Sequence, residues 1–155
     1  MKSAAGEASR ARVEYDASTY GERIAEDYDR LVPAHIGAST EATVEFLASV
    51  TSRPRALELG IGTGRIAIPL CQRGVEVVGI DASPAMVKQL RARKGGESIR
   101  VEMGDFAEVK VRGQFPLIYI AFNTFFALLT QDAQVRCFER VGARGLHPEN
   151  SANLR

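Results

Sequence analysis

Residues 56–70 read ALELGIGTGRIAIPL. Gly60, Gly62 and Gly64 stand between one apolar run and the next. Glycine adopts left-handed turns without steric cost and lets a backbone come close to a ligand. The stretch therefore reads as a strand, a tight loop and the start of a helix. The glycines alone leave two occupants open: a dinucleotide held by its pyrophosphate, or a nucleotide cofactor that carries positive charge. Glu58, two residues ahead of the loop, bears on that choice.

Outward from this loop the apolar period alternates between that of a strand and that of a helix. RALELG (55–60) predicts a strand, IAIPLCQRG (66–74) a helix closed by Gly74, and VEVVGID (75–81) a second strand. Ser83-Pro84 marks a helix start, with Ser83 as N-cap and Pro84 in the first helical position. That helix runs through Met86, Val87 and Leu90 to Gly95-Gly96. IRVEMGD (99–105) and FPLIYIAF (115–122) predict the third and fourth strands. Thr130 opens a last helix with Val135, Phe138 and Val141 on its inner face. Ahead of the loop, Ile24, Tyr28 and Leu31 recur at helical spacing within 15–31, and Pro33 ends that helix. A further helix is expected over Thr40–Val50, with Val44, Leu47 and Val50 on one face. Alternating strands and helices imply right-handed crossovers and an α/β fold built on a parallel sheet.

In such a sheet, ligands bind beyond the carboxyl ends of the strands. The residues there are Glu58 with the glycine loop, then Asp81, then Asp105 and Phe106, then Phe122 and Asn123. Three carboxylates thus gather on one edge. The pyrophosphate fingerprint would place Gly or Ala where Arg65 stands, and Glu58 would lie against a doubly negative group; both weigh against NAD. S-adenosylmethionine (SAM) has no phosphate and carries a sulfonium and an ammonium, which carboxylates attract. Asp81 lies 17 residues past Gly64, where it can accept from both ribose hydroxyls. Asp105 can accept from the adenine amine, and Phe106 can cover the ring.

ELGIGTG, VVGIDASPAMV and VEMGDF resemble the successive motifs of the class I SAM-dependent methyltransferases, and the likeness runs from Tyr15 to Val141. The resemblance implies a Rossmann-like three-layer sandwich and SAM as cofactor. It implies that Gly60, Gly62 and Gly64 approach the methionine part. Asp81 would take the ribose, and Gly104, Asp105 and Phe106, bordered by Ala82 and Ser83, the adenine. Residues 15–50 would form lid helices over a 55–141 core, with Tyr20 and Tyr28 contacting the cofactor and Phe122 beside it. The implied reaction is methyl transfer to a nitrogen or oxygen of a small molecule. It needs mainly proximity and in-line geometry, so no base is obligatory, and His35 is only a remote candidate.

Each residue also has a purely structural role open to it. Gly64 can serve close helix–strand packing, Glu58 can cap loop amides, Asp81 can help cap the next helix, and Tyr28 can be core. The order of the three acids at three strand ends is what favours a ligand.

The 155 residues suit one domain, and 20 Lys+Arg against 19 Asp+Glu give no basic footprint for nucleic acid or an anionic membrane. FPLIYIAFNTFFALL is too short and too broken by Asn123 and Thr124 for a membrane span. The two cysteines, Cys71 and Cys137, fit no ligand spacing and agree with a reduced, cytoplasmic setting. Residues 1–14 read as a disordered tail.

The sequence departs from the family at its C-terminal end. GARGLHPENSANLR (142–155) contains no apolar run, so about four of the family's seven strands are expected, with 142–155 irregular. A truncated or frame-shifted gene product is the expected cause, and the alternative is a short form that pairs its edge with a second chain. FPLIYIAF would then be an unpaired apolar edge, open to self-association with a second chain.

Overall fold

The computed structural model describes residues 15–31 and 34–145, the side chains of 34–38 excepted. The expected tails at 1–14 and 146–155, and the side chain of His35, lie outside the described residues.

Four strands form one parallel sheet: β1 (Arg55–Leu59), β2 (Glu76–Asp81), β3 (Arg100–Met103) and β4 (Leu117–Tyr119), in the order β3-β2-β1-β4. Chain direction reverses its advance at β1, which pairs with both β2 and β4. In that register Glu58 stands opposite Gly79 on one side and Tyr119 on the other. Helices α4 (Ala67–Gln72) and α5 (Pro84–Ala92) make the first two crossovers. A 3₁₀ turn, η1 (Thr124–Ala127), follows β4 and leads into α6 (Gln131–Gly142).

The strand period of two sorts the core into two layers. Ala56 and Val77 pack with Val44, Leu47, Leu70 and Leu90 on one face. Leu57, Leu59, Val78 and Ile80 pack with Phe106, Phe115, Leu128 and Cys137 on the other. The three-layer α/β expectation is met. Ser83 forms the predicted N-cap, its Oγ accepting from the Met86 amide at 3.1 Å, and Thr130, where the last helix was expected to open, caps it with Oγ1 accepting from the Ala133 amide at 3.2 Å.

Several expected boundaries shift. The 15–31 helix is two pieces, α1 (Thr19–Ile24) and α2 (Tyr28–Leu31), with Leu31 exposed. The helix before β1, α3, runs Ala34–Val50 rather than from Thr40. Val44 and Leu47 are buried, but Val50 is exposed. Steps of three residues fall about 60° short of a full turn, so a row at i, i+3, i+6 drifts off the inner face. The same drift corrects the reading of α6. Val135 and Phe138 are exposed, and the inward row is Ala133, Cys137 and Val141. The fourth strand is only three residues long. Pro116 has no amide to donate, and at Phe122 the chain has φ of 57°, outside any strand. Its start is not wholly unpaired: the Phe115 amide donates to the Arg144 carbonyl at 2.9 Å, giving a parallel bridge between Phe115 and Gly145.

Candidate cofactor and acceptor site

The glycine loop is hung from the end of β2. The amides of Gly60 and Ile61 donate to the Ile80 carbonyl at 2.8 and 3.0 Å. Gly62 then donates its amide to Asp81 Oδ2 at 2.7 Å, while Oδ1 accepts from the Ser83 amide at 2.9 Å. The Gly104 amide donates to the Asp81 carbonyl at 2.9 Å, tying the third strand's exit to the same point. Burial pushes the Asp81 carboxyl up from its ordinary pKa, and the amides of Ser83, Gly62 and Ala82 hold it back.

Two glycines of the loop have separable reasons. At Gly64 (φ 77°) a Cβ would lie 2.2 Å from Leu90 Cδ1, so this residue admits α5. At Gly62 (φ 55°) a Cβ would meet nothing within 4 Å, so the space beside it is open. Close packing explains Gly64; conformation and an open cradle explain Gly62.

Glu58 does not cap the loop amides. It is buried, and the Tyr119 hydroxyl donates to its Oε2 at 3.0 Å. Burial pushes its pKa up to about 8, further raised by Asp81 and opposed by the Tyr119 bond and by Arg65. It is therefore mostly a neutral acid at pH 7, and a cation placed beside it would draw its proton off. Burial likewise drives the Tyr119 hydroxyl upward.

Asp105 is exposed, and its Oδ1 accepts from the Ala107 amide at 2.8 Å. Phe106 is buried in the second core layer, near Gly60. These two border a cavity of about 150 Å³ that Tyr15 and Ala17 also line. A crevice of about 30 Å³ holds Glu58, Gly60, Gly62, Tyr28 and Phe122. Beyond it opens a cavity of about 520 Å³ lined by Tyr20, Tyr28, Arg65, Phe122 and Phe126. The candidates Tyr20, Tyr28 and Phe122 therefore face one space. Ala82 and Gly104 sit at the ends of β2 and β3 and line none of these three cavities.

Three contributors were not legible as site residues. Glu22 of α1 accepts at Oε1 from Ser83 Oγ (2.7 Å) and the Ala85 amide (2.9 Å), which docks α1 on the start of α5 and lowers the Glu22 pKa. Asp29 of α2 accepts from Thr63 Oγ1 at 3.0 Å and pairs with Arg93. Arg65 lies 3.8 Å from the Phe122 ring centroid, and its Nε and Nη1 are buried without a hydrogen-bond partner. Among the described residues no His/Cys/Asp/Glu group is arranged to hold a metal, and no helix is long and apolar enough to cross a membrane.

Two short helices docked beside the glycine loop, that loop fastened to an acid, and acids at three successive strand ends agree with a known domain. The family described as "Methyltransferase domain" matches residues 56–148. The chain belongs to the methyltransferase domain family. YqeM of Bacillus subtilis (strain 168), which carries a provisional methyltransferase name, is 33% identical over 104 residues, 66% of this chain and 42% of YqeM. The CcbJ methyltransferase from Streptomyces caelestis superposes with TM-score 0.75 at 34% identity, over 86% of this chain and 55% of CcbJ. The DhpI–SAH complex shares the fold, with TM-score 0.68 at 22% identity, over 83% of this chain and 61% of DhpI. The chain thus spans about half the length of these methyltransferases. The class I methyltransferase likeness read from the motifs and the Rossmann-like sheet stand together.

Proposed function

We propose that this domain binds SAM across the ends of β1, β2 and β3 and serves methyl transfer to a nitrogen or oxygen of a small molecule. The observation that carries this reading is the pair of a buried carboxyl at Glu58, held in no ion pair among the described residues, and an open cradle at Gly62 in one crevice. That carboxyl can ionise beside a positively charged amino-acid end, and a pyrophosphate would gain nothing from it. DhpI, which shares the fold, is a complex with S-adenosylhomocysteine (SAH), the demethylated form.

Asp81 would hold the ribose hydroxyls. Each of its oxygens already accepts one amide and keeps a further lone pair. Asp105 would accept from the adenine amine, with Ala82, Gly104 and Phe106 shaping that end. Gly60 and Gly62, which line the crevice, would let the backbone approach the methionine part, while Gly64 serves the packing of α5. When bound, SAM supplies a methyl group on a sulfonium, open to in-line attack by a nucleophile. The protein's own part is to orient and to exclude water. Tyr20, Tyr28, Phe122 and Phe126 wall the larger cavity beside the crevice and would seat the acceptor there. The lid held by Glu22 and Asp29 closes that wall.

Calorimetric titration of the 155-residue chain with SAM, SAH and NAD tests the reading. Micromolar binding of SAM and SAH with no NAD binding is expected. Tighter binding of NAD would reverse the assignment. A second reading is favoured by the exposed Phe126 and Leu129 at the cavity rim. On that reading the chain binds the cofactor and turns over little by itself. Self-association along β4 and a cytoplasmic setting belong to the same proposal.

A further inference from the structure

Arg65 is the one loop position that breaks the dinucleotide pattern, and nothing in the proposed cofactor set uses it. Its surroundings are unusual for a cation. The described ion pairs engage Arg30, Arg55, Arg73, Arg93, Arg100 and Arg136 and leave Arg65 out. Its Nε and Nη1 are buried with no acceptor. Buried donors in folded proteins are nearly always paired, and an orphaned pair of guanidinium N–H groups calls for a missing acceptor.

The ring beneath it is held there by the backbone. Phe122 adopts φ of 57°, a conformation bulky residues rarely take, and its centroid lies 3.8 Å from the guanidinium carbon. Tyr28 from the lid comes to 5.9 Å. A guanidinium resting on a ring keeps all its donors in its own plane, free for a planar acceptor. Arg65 also sits where two spaces join. It lines both the crevice with Glu58 and Gly62 and the 520 Å³ cavity. The crevice therefore offers one carboxyl and one guanidinium, the complement of an amino-acid zwitterion.

We propose that Arg65 is a carboxylate receptor: it takes, through its forked N–H groups, the carboxylate of a molecule seated across the crevice and the larger cavity. The inference rests on the proposed SAM reading. A carboxylate reaches this point from two sources, the amino-acid end of the cofactor or a carboxylated acceptor.

The test titrates the full chain and its Arg65→Gln variant with four probes. SAH and 5′-methylthioadenosine differ by the amino-acid end, and benzoate and benzamide differ by the charge. A carboxylate paired to guanidinium makes charge-assisted bonds, so its loss costs about tenfold to a hundredfold in affinity. If the variant weakens SAH by that factor and leaves 5′-methylthioadenosine within about twofold, the cofactor is the source. If SAH is unchanged and the preference for benzoate over benzamide disappears, the acceptor is the source. Either result supports the inference. Equal losses for SAH and 5′-methylthioadenosine would make Arg65 a structural residue of the loop and overturn it, as would no change in any arm. Arg65→Gln gives up the Phe122 ring contact but removes two buried donors without a partner, so its ligand-free thermal midpoint is expected to stay close to the parent's. Should that variant fail to fold, Arg65→Lys carries the same arms, with an expected loss of about three- to tenfold for the carboxylate probe. Failure of the parent to bind SAH and 5′-methylthioadenosine alike would sink the SAM reading, and the benzoate arm would then decide Arg65 by itself.

Discussion

The Gly62 amide donates 2.7 Å to the Asp81 carboxylate across 19 residues of sequence, so the acid at the end of β2 sets the shape of the loop after β1. The proposed ribose acid is thereby also a fastener. Two of its acceptor sites are satisfied from inside the protein, by Gly62 and Ser83. Asp81→Ala would leave both amides short of a partner. It should cost about 1–3 kcal/mol of stability and should weaken SAM binding by a comparable further amount. Urea unfolding with and without SAM separates the two effects. A variant as stable as the parent would show that water replaces the carboxylate and that the fastening is idle.

Gly64 and Gly62 make a paired comparison. Gly64→Ala brings a methyl within 2.2 Å of Leu90 Cδ1 at a φ of 77°, so it should destabilise the fold by about 1–3 kcal/mol. Gly62→Ala meets no atom and carries only the left-handed strain, about 1 kcal/mol. Yet Gly62→Ala should cut SAM affinity more than its stability loss explains, because its methyl projects into the cradle. Thermal midpoints and binding isotherms on both variants check this. Full affinity in a folded Gly62→Ala protein would remove the cradle from the site.

Glu58 makes stability depend on pH. Its folded pKa, about 8, lies above the 4.5 of an unfolded Glu, so the folded state holds a proton the unfolded state gives up. Stability from this group is full below pH 4.5 and falls as pH rises through 8, at roughly 1.4 kcal/mol per pKa unit. Glu58→Gln, which keeps an acceptor for Tyr119, should flatten that fall and be the more stable protein at pH 8. Denaturant midpoints at pH 5, 6.5 and 8 measure it. A bound cation lowers the Glu58 pKa, so SAM affinity should rise from pH 6 to 8 more steeply than SAH affinity, which lacks the sulfonium. Parallel slopes for the two ligands would place the sulfonium away from Glu58.

What the sequence disclosed depended on how local the signal was. The strands, the Ser83 cap, the start of α6 and the acids at three strand ends follow from a period of two, a Ser-Pro pair and a Thr, all within a few residues. The partners of those residues are long-range. Glu22 reaches Ser83 and Asp29 reaches Arg93 over more than 60 residues, and neither has a motif. Arg65 was visible only as a misfit to the dinucleotide pattern. Its meaning comes from Phe122, whose left-handed φ no apolar run foretells. The inner face of α6 was misread because Val135, Phe138 and Val141 look like one row until the i+3 drift is followed onto the sheet.

The outer side of β4 carries the last prediction. Among the described residues, β4 pairs only with β1, apart from the single bridge of Phe115 to Gly145. Phe126, Leu129 and Phe138 are each at least 65% exposed nearby, and Phe138 leans on Phe125 with ring centroids 5.3 Å apart. Phe138 lines a cavity of about 290 Å³ with Ile118, Ile120 and Val141. An apolar strand edge with apolar neighbours is a template for another chain, and burying three such side chains stabilises contact by several kcal/mol at about 25 cal/mol per Å². The 155-residue chain should therefore sediment as a dimer or larger species at tens of micromolar. Phe138→Lys, on an already exposed position, should shift it toward monomer without lowering its unfolding midpoint. Analytical ultracentrifugation of parent and variant over a hundredfold concentration range decides the matter. A parent that stays monomeric throughout would show that this face is tolerated in water and that β4 needs no partner.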